Sequence, residues 1–380
     1  MLEPTVPFFM YEGPAFPSPD ALLACRGLKR LAPLEEPMAQ FYAEMGLHRS
    51  LAIHPQRTRE PSKASLFYVP VLPHLDQDAG GCNGTGHRMR MASVASALRA
   101  SPHWQRSNGT DHFWACTCVM MRSMLTNELW SLLSTATHAV HSVPRGHASP
   151  SRCQMAIPYL NPAFTAVSEA SRWREPGRPR PTLAHFRGRI MNRVRASLVK
   201  LYGGQPAHVV EAAHPSTAAR CNLNKCSAKA LAKVGFPSQR AHFDEMTRTT
   251  FCLVPVGDSP PSSRLYLAIA AGCVPVLLSD GFEGAFPSRV PWRDFSLRFE
   301  ESTVKLKAFN LTAKLLTIAA DSERLLKMQR ALQAHAADVL WEAPGSRVAT
   351  HTLELALKAK RDVCIAPAAS AQDGVQIAYT

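Results

Sequence analysis

The chain alternates short, continuously apolar runs with segments in which apolar residues recur every three or four positions. Phe251–Val256 and Val274–Ser279 are the clearest apolar runs, and His87–Ala100 is a clear segment of helical spacing. Short runs rich in valine and leucine are typical of strands buried on both faces, and such strands occur in parallel sheets covered by helices. The pattern therefore predicts an α/β protein.

The same two periodicities predict strands and helices along most of the chain. The predicted strands are Val6–Tyr11, Leu66–Leu72, His112–Cys118, Thr137–His141, Cys153–Pro158, Leu183–Arg187, His208–Ala212, Phe251–Val256, Val274–Ser279 and Phe295–Phe299. The predicted helices are His87–Ala100, Ile190–Tyr202, Gln239–Thr247, Ser263–Ala271 and Ala349–Lys360, with further helices up to Leu340.

A stretch rich in proline and arginine, Ser168–Pro181, interrupts this alternation and favours an exposed connection between domains. A length of 380 residues suits one large or two medium domains. We predict two Rossmann-like domains facing a cleft, an N-terminal one over residues 1–167 and a C-terminal one over residues 182–345. Residues 346–364 are predicted to form a terminal helix that crosses back to the first domain, and residues 365–380 a flexible tail.

The net charge of +14 raises the question of a nucleic-acid partner, because lysine and arginine neutralise phosphates. The densest basic stretch is Arg172–Arg195, and binding through it would depend steeply on salt. A composition rich in arginine, alanine and proline also arises from codon bias, and the sequence lacks a recognised nucleic-acid module or interleaved aromatic residues. A polyanion-binding protein is therefore one alternative, and we expect no nucleic-acid partner.

No apolar run has the length of a membrane-spanning helix. The longest uncharged one, Leu265–Ser279, has fifteen residues, whereas a span requires about twenty. The N-terminus also lacks the basic and apolar regions of a signal peptide.

The ten cysteines do not follow the spacing of a zinc site. Cys252 and Cys273 lie in apolar strands and are expected to be buried thiols. The sequence contains three Asn-x-Ser/Thr sites for N-glycosylation, which favour a secretory lumen. These sites begin at Asn83, Asn108 and Asn310. In such a compartment disulfides could form, for example between Cys221 and Cys226.

The segment 251–290 carries the features of a phosphate site. A buried strand ends at Gly257, a turn follows, and Ser262 or Ser263 is positioned to cap the next helix. Arg264 lies in the first turn of that helix, where free backbone N–H groups and the helix dipole also attract anions. In a doubly wound sheet, ligands bind at this place. Spacing alone leaves open that the unit binds nothing, as many strand–turn–helix units do.

The order of residues in this segment closely resembles the exostosin family of glycosyltransferases, glycosyltransferase family 47. The matching residues are Phe251–Pro255, Ser263–Leu265, Ala268–Ile269, Ala271–Val276, Ser279–Asp280, Phe286–Pro287, Trp292 and Phe295–Ser296. Weaker matches in the family's order are Phe8–Pro14, Ser65–Pro70, Trp104–Arg106, Gly109–Phe113 and Phe186–Arg189 with Arg195. The resemblance covers roughly residues 5–345.

This resemblance implies a GT-B fold, whose C-terminal Rossmann-like domain holds most of a nucleotide sugar. It implies a hexosyl- or pentosyltransferase that moves a sugar from a nucleotide-diphosphate donor, UDP-linked, to an oligo- or polysaccharide acceptor with inversion. The donor is a co-substrate, and neither a cofactor nor a metal is expected. The resemblance also implies the Golgi membrane or lumen, and homo- or hetero-oligomers with related transferases.

Two sets of site residues follow from the resemblance and the chemistry. The first set would hold the donor and stabilise the departing diphosphate. Its members are Arg189, Gly257, Ser262, Ser263, Arg264, Ser279, Asp280 and Glu283. The reaction also needs a base for the acceptor hydroxyl, and Asp111 and His112 are the candidates because the acceptor side is expected in the N-terminal domain. Either residue could instead be a capping or core residue.

Leu267 departs from the family pattern, which has an acid three residues after the arginine at the helix start. That acid is expected to hydrogen-bond donor hydroxyls, most simply those of the ribose, and leucine cannot. A second interpretation is therefore a catalytically silent relative that binds a nucleotide or glycan without transfer. Glu283 is near in sequence and could substitute for the missing acid.

Asp76 and Asp78 resemble the paired acids of a metal site and follow a predicted strand. Such short acid patterns are common in loops, and GT-B enzymes do without them. We therefore do not expect a metal there.

Overall fold

The computed structural model describes residues 6–26, 41–82, 84–117, 121–141, 153–160, 174–213, 239–257, 260–305 and 309–362. The chain divides into two compact units. Of the described residues, those up to Leu160 and those from Arg347 onward form the first unit, and those between Leu160 and Arg347 form the second. Each unit contains a parallel sheet and helices, which confirms the predicted α/β class.

Six strands form the sheet of the first unit, in the order β2-β1-β3-β4-β5-β6, and every neighbouring pair is parallel. Their bounds are Phe8–Met10 (β1), Arg57–Thr58 (β2), Leu66–Tyr68 (β3), His112–Ala115 (β4), Thr137–Val140 (β5) and Gln154–Ala156 (β6). All but the short edge strand β2 lie within strands or apolar runs predicted from the sequence.

Helices connect these strands. Those described before residue 160 are α1 (Pro19–Cys25), α2 (Ala43–Ala52), α3 (Pro73–Ala79), α4 (His87–Ala100), α5 (Pro102–Ser107), α6 (Met121–Met124) and α7 (Asn127–Leu133). Helix α7 begins at Thr126, whose hydroxyl accepts a hydrogen bond from the Leu129 N–H. The sheet's Phe67 and Trp114 pack in one buried cluster with Leu98 of α4 and Leu129 of α7.

Five parallel strands form the sheet of the second unit, in the order β11-β10-β9-β7-β8. They are Thr182–Arg189 (β7), His208–Ala213 (β8), Thr249–Pro255 (β9), Val274–Leu278 (β10) and Leu297–Arg298 (β11). The described helices are α8 (Arg193–Tyr202), α9 (Gln239–Thr247), α10 (Ser263–Ala270), α11 (Trp292–Phe295), α12 (Glu301–Val304), α13 (Leu311–Ala320) and α14 (Ser322–Val339). Phe186, Leu253 and Val276 of the sheet pack against Leu198 and Leu315.

The two sheets share one topological feature. The first strand of each unit, β1 or β7, lies between the unit's second and third strands. The second strand lies on one side of the first strand and the third strand on its other side, so the connections from neighbouring strand ends diverge. A crevice therefore opens at the carboxyl ends of the first and third strands. The fold therefore marks β1/β3 and β7/β9 as the places where a ligand is expected.

The last described helix, α15 (Val348–Asp362), belongs to the first unit. It packs against α2, β5 and β6, and its Leu353 and Ala356 are buried. The tail predicted over residues 365–380 lies outside the described residues.

Three local predictions differ from the structure. The strand predicted over Phe295–Phe299 is shorter, because Phe295 ends α11 and only Leu297–Arg298 pairs with β10. Asp76 and Asp78 lie on helix α3 rather than in a loop, since Pro73 starts a helix there. Of the helices described before residue 160, only α4 was predicted from the sequence, so α1, α2, α3, α5, α6 and α7 have no counterpart among the predicted elements.

Disulfides join Cys25 to Cys82 and Cys252 to Cys273. The expectation that Cys252 and Cys273 are buried thiols is wrong, because β9 and β10 are neighbours and the two Cα atoms lie 5.7 Å apart, within bonding range. No cysteine in the described part of the chain is free. Cys221 and Cys226 lie outside the described residues.

Within the described ranges, no helix combines the length and the apolar character needed to cross a membrane.

Candidate functional site

Arg264 lies at the crevice between β7 and β9. It occupies the first turn of α10, directly after the β9 loop, and its guanidinium is 5.0 Å from the centre of the Phe186 ring. Gly188 of β7 leaves room for it, because a Cβ atom on Gly188 would lie 2.6 Å from Arg264 Nη2. The sheet therefore places one cation at its topological switch point.

Arg195 is the second cation at this crevice. Its Nε donates to the carbonyl of Val256 (3.0 Å) and its Nη1 to the carbonyl of Arg189 (3.1 Å). These carbonyls follow β9 and end β7, so Arg195 ties the two strand ends together. Its guanidinium lies 5.9 Å from the centre of the Phe186 ring, which Arg264 also approaches.

Within the described ranges, no carboxylate contributes to the electrostatics of Arg264. Burial, and then the positive charge of Arg195, lowers the pKa of Arg264 to about 9. The buried Nε of Arg264 has no hydrogen-bond partner among the described residues. A bound anion would supply the missing acceptor and the missing negative charge, and a diphosphate has both.

Two serine hydroxyls at the same edge also have no partner within the described ranges. Ser262 has the backbone conformation of the residue that precedes α10, but its side chain makes no capping hydrogen bond and its Oγ is buried. The predicted cap at Ser262 is therefore absent. Ser279, 1% exposed, directly follows β10 and also has an unpartnered Oγ. Ser263 lies in the first turn of α10, and Gly257 follows β9.

Three other predicted donor residues take different positions. The Asp280 side chain accepts from the Glu301 N–H (2.9 Å), and the Glu301 side chain accepts from the Asp280 N–H (3.1 Å). The Asp280 carboxylate thus accepts a hydrogen bond from the first residue of helix α12. Arg189 and Glu283 are exposed.

Arginines of the basic stretch mainly hold the main chain of the second unit. Arg174, 7% exposed, donates to the Ala270 carbonyl. Arg180 donates to the carbonyls of Thr247, Thr249 and Ala271. Arg187 pairs with Glu245, with Nε 2.7 Å and Nη2 2.9 Å from its carboxylate oxygens. The structure thus gives these side chains internal roles.

Asp111 and His112 lie in a closed hydrogen-bond network of the first unit. His112 Nδ1 is 2.7 Å from Asp111 Oδ1, and His112 Nε2 is 2.9 Å from the Tyr11 hydroxyl. Asp111 also accepts from Ser107 Oγ (2.5 Å) and Arg106 Nη2 (2.7 Å). Both side chains are buried, and all their polar atoms have partners.

This network favours the structural interpretation of both residues. Burial raises the pKa of Asp111, but the hydrogen bonds from His112, Ser107 and Arg106 outweigh it and hold that pKa well below its usual range. Burial lowers the pKa of His112. His112 is also the first residue of β4, at the amino end of the strand, whereas ligands bind at carboxyl ends.

Sequence reasoning missed the roles of Arg195, Gly188 and Phe186. The signal for Arg195 was Asn192, three residues earlier, whose side chain accepts from the Arg195 N–H (3.0 Å) and caps α8. That spacing marks the start of a helix after β7, and a helix start at a switch point is a candidate anion site.

Two α/β units, each built on a parallel sheet, define a GT-B-like protein, and the second unit has Arg195 and Arg264 at its switch point. The chain belongs to the exostosin family, because the Exostosin GT47 domain matches residues 5–314.

Relatives from plants are similar over most of the chain. A probable β-1,4-xylosyltransferase, IRX10 of Arabidopsis thaliana, is 26% identical over 316 residues, which are 77% of this chain and 70% of the relative. A probable glucuronosyltransferase of Oryza sativa subsp. japonica, Os02g0520750, is 26% identical over 77% of this chain and 64% of its own length. Probable glucuronosyltransferase 47 A of Physcomitrium patens is 26% identical over 77% of this chain and 62% of its own length. Family membership makes the chain a glycosyltransferase.

Proposed function

We propose that the protein transfers a sugar from a UDP-linked donor to a hydroxyl of an oligo- or polysaccharide, with inversion at the anomeric carbon. The single observation that carries this proposal is Arg264, a partly buried cation at the β7/β9 switch point whose buried Nε has no partner among the described residues. A nucleotide diphosphate suits it in charge, in hydrogen bonding and in position.

The second unit would act on the leaving group. As the bond between the sugar and the diphosphate breaks, negative charge grows on the diphosphate, and Arg264 and Arg195 would stabilise it. Fixed cations are effective here because a partly buried site screens them less than water does. The Ser262 and Ser279 hydroxyls would donate further hydrogen bonds.

The relatives suggest which donors to test. Their names describe a xylosyltransferase and glucuronosyltransferases, so UDP-xylose and UDP-glucuronic acid are the first choices.

An oxidising lumen suits the chain, and we propose the Golgi. Disulfides such as Cys25–Cys82 and Cys252–Cys273 persist in that kind of compartment and are rare in the cytosol. Asn108 and Asn310, which begin two glycosylation sites, are exposed, whereas Asn83 lies outside the described residues.

The experiment that tests the donor site is calorimetry with UDP. We expect Arg264→Ala to weaken UDP binding by about 1.5–3 kcal/mol, the range for a hydrogen bond to a charged group. Arg193→Ala is the matched control, because Arg193 lies exposed on α8 and should leave the affinity unchanged. Equal affinity in wild type and Arg264→Ala would put the donor elsewhere.

A second candidate function is a silent relative that binds a nucleotide without transfer. Leu267 favours it, since this partly buried side chain on α10 cannot accept a hydrogen bond. Leu267→Glu should tighten donor binding by about 1–3 kcal/mol if the place of the acid is merely vacant. No gain in affinity, together with no transfer by the wild type, would favour the silent relative.

A further inference from the structure

Four buried side chains of the first unit carry polar atoms that have no hydrogen-bond partner among the described residues. They are Glu44, Tyr68, His74 and His141, through Oε2, the hydroxyl, Nδ1 and both ring nitrogens respectively. Each is at least nine-tenths buried, with exposures of 0, 0, 7 and 6%. We call this set the polar cluster.

The members of the polar cluster lie at the carboxyl edge of the first sheet. Tyr68 is the last residue of β3, and His141 directly follows β5. His74 is in the first turn of α3, the helix after β3, and Glu44 is in the first turn of α2. Parallel strands end at one edge, and ligands of such sheets bind there.

Electrostatic contacts link the members. Glu44 accepts the N–H groups of His74 (3.0 Å) and Leu75 (3.1 Å) with Oε1, which leaves Oε2 without a partner. The charge of Glu44 acts on Tyr68, and that of His74 on His141. His74 Nδ1 also lies 3.7 Å from the Asp78 carboxylate, too far for a direct hydrogen bond.

If its only role were structural, such a cluster would lower the stability of the folded protein. A buried polar group without a partner typically costs about 1–3 kcal/mol, and here several occur at one edge. Nearby His138 shows the ordinary solution, since this buried histidine of β5 lies 3.2 Å from the Cys116 carbonyl through Nε2. Donors and acceptors in one buried place suit a ligand with several hydroxyl groups, and a sugar is such a ligand.

We propose that the polar cluster binds the acceptor sugar and that His141 is the general base for its attacking hydroxyl. This proposal rests on the proposed function, and it assigns the acceptor step to residues other than Asp111 and His112. Within the described structure, neither nitrogen of His141 makes a hydrogen bond of good geometry, although the Ile157 main chain is near enough to raise the pKa of the ring. One nitrogen can therefore accept a proton while the other donates to a sugar oxygen or to that main chain.

Sugar transfer would occur as a single displacement. The acceptor O–H bond breaks and its proton moves to an unprotonated nitrogen of His141. The acceptor oxygen forms a bond to the anomeric carbon of the donor sugar, while the bond from that carbon to the diphosphate oxygen breaks. The electron pair of the broken bond leaves with the diphosphate.

A lowered pKa leaves His141 unprotonated near neutral pH, and the same shift makes the ring a weaker base than free imidazole. Burial, and then the charge of His74, lowers the pKa of His141 well below its ordinary value, so the ring is neutral and keeps a free lone pair near neutral pH. The ring stacks on Tyr159, which fixes its orientation.

The test uses the full-length chain with UDP-xylose or UDP-glucuronic acid, whichever the wild type uses, and a xylo-oligosaccharide acceptor. We expect His141→Gln and His141→Ala to lower the transfer rate by about 10²–10⁴-fold, the usual effect of a general base. UDP affinity by calorimetry should stay within twofold of wild type, on the order of the error of such comparisons. Free imidazole should restore part of the transfer by His141→Ala but not by His141→Gln, whose side chain fills the space.

His138→Gln is the matched control, because His138 is a buried histidine on the same strand whose Nε2 faces a carbonyl. It should lower stability while transfer per folded molecule stays near wild type. The assignment would be overturned if both folded His141 variants transferred sugar at a rate within tenfold of wild type. It would also be overturned if imidazole did not restore transfer by His141→Ala. If His141→Ala does not fold, His141→Gln alone decides through the transfer rate. A wild type that neither binds UDP nor transfers either sugar would instead refute the proposed function.

Discussion

The first and second units place their first strand in the same way, between their second and third strands, yet the carboxyl edges of the two sheets differ in chemistry. The edge of the second sheet carries the neighbouring guanidinium groups of Arg195 and Arg264 around the Phe186 ring. The edge of the first sheet carries imidazoles, a phenol and a carboxyl group. The shared topology fixes where a ligand binds, and the side chains at the edge determine which ligand it is.

Burial disfavours the charged form of the ionisable groups at both edges, but with different results. In the second unit it lowers the pKa of Arg264, which still carries its charge at neutral pH and attracts an anion. In the first unit it raises the pKa of Glu44 well above normal and lowers that of His141, which favours the uncharged form of both groups. One edge therefore favours a phosphate and the other a neutral polyhydroxyl compound.

The largest expected effect on stability comes from removing one disulfide in each unit, and the two removals should differ in their effect on UDP binding. Replacing Cys25 and Cys82, which are 57 residues apart, by alanine should lower the free energy of unfolding by about 4 kcal/mol. Replacing Cys252 and Cys273, which are 21 residues apart, should lower it by about 3 kcal/mol, because a shorter loop constrains the unfolded chain less. Denaturant titration measures both, and only the second pair should also weaken UDP binding, because it flanks α10. Equal UDP affinity in both variants would mean that α10 is held without its disulfide.

Asp111→Asn tests whether the network at the amino end of β4 is structural. We expect a loss of about 1.5–3 kcal/mol in unfolding free energy, since the charge-assisted bonds from Arg106 and His112 weaken. Asp20→Asn, which removes an exposed pair with Arg49, should change stability by less than about 0.5 kcal/mol. The rate of sugar transfer per folded molecule should match wild type. A loss of transfer in Asp111→Asn would instead assign the general base to Asp111 or His112.

Acid should destabilise the first unit through its buried histidines. Burial lowers the pKa of His48 to about 4 and that of His138 to about 3, whereas an unfolded histidine titrates near 6.5. Between these values the unfolded chain binds more protons, so stability falls as the pH drops from 6.5 towards 4, by up to about 1.4 kcal/mol per pH unit for each histidine. Urea unfolding at pH 7 and pH 5 measures this slope, which should be shallower in His138→Gln. An unchanged slope would show that His138 is not neutral in the folded protein.

The smallest effect concerns Gly188→Ala. The new Cβ would meet the mobile end of Arg264 rather than the backbone, so the guanidinium should move while the fold stays intact. We expect UDP affinity to fall by roughly 1 kcal/mol, a fraction of the loss in Arg264→Ala. Calorimetry and thermal melting together check this, and a large drop in melting temperature would mean that the strand itself had shifted.

The sequence predicted the second unit better than the first because its strands are longer and continuously apolar. Phe251–Val256 was expected as a strand, and β9 spans Thr249–Pro255. Helix α10 begins at Ser263 as expected. In the first unit, α1 has only seven residues, and nothing in its apolar pattern distinguishes it from a loop.

The candidate sites divide in the same way. Arg264 was predictable because the turn, the helix start and the arginine are adjacent in sequence. Arg195 meets the Val256 carbonyl across 61 positions, and the polar cluster gathers residues from four separate segments. Contacts of this kind follow from strand order, which no local pattern contains. The disulfide between Cys252 and Cys273 escaped prediction for the same reason, since its cysteines meet only once β9 and β10 pair.

Helix α15 affects the order in which a nascent chain folds. The strands of the first unit are complete by Ala156, but α15, which packs on α2, β5 and β6, ends only at Asp362. At roughly 5–20 residues per second, the ribosome needs about 10–40 s to make the intervening chain. During that time the faces that α15 covers have no partner helix, and the second unit, complete by Ser346, can fold first. The half of the molecule that is synthesised first is therefore the half that finishes folding last, and a premature stop just before α15 would damage the unit farthest upstream.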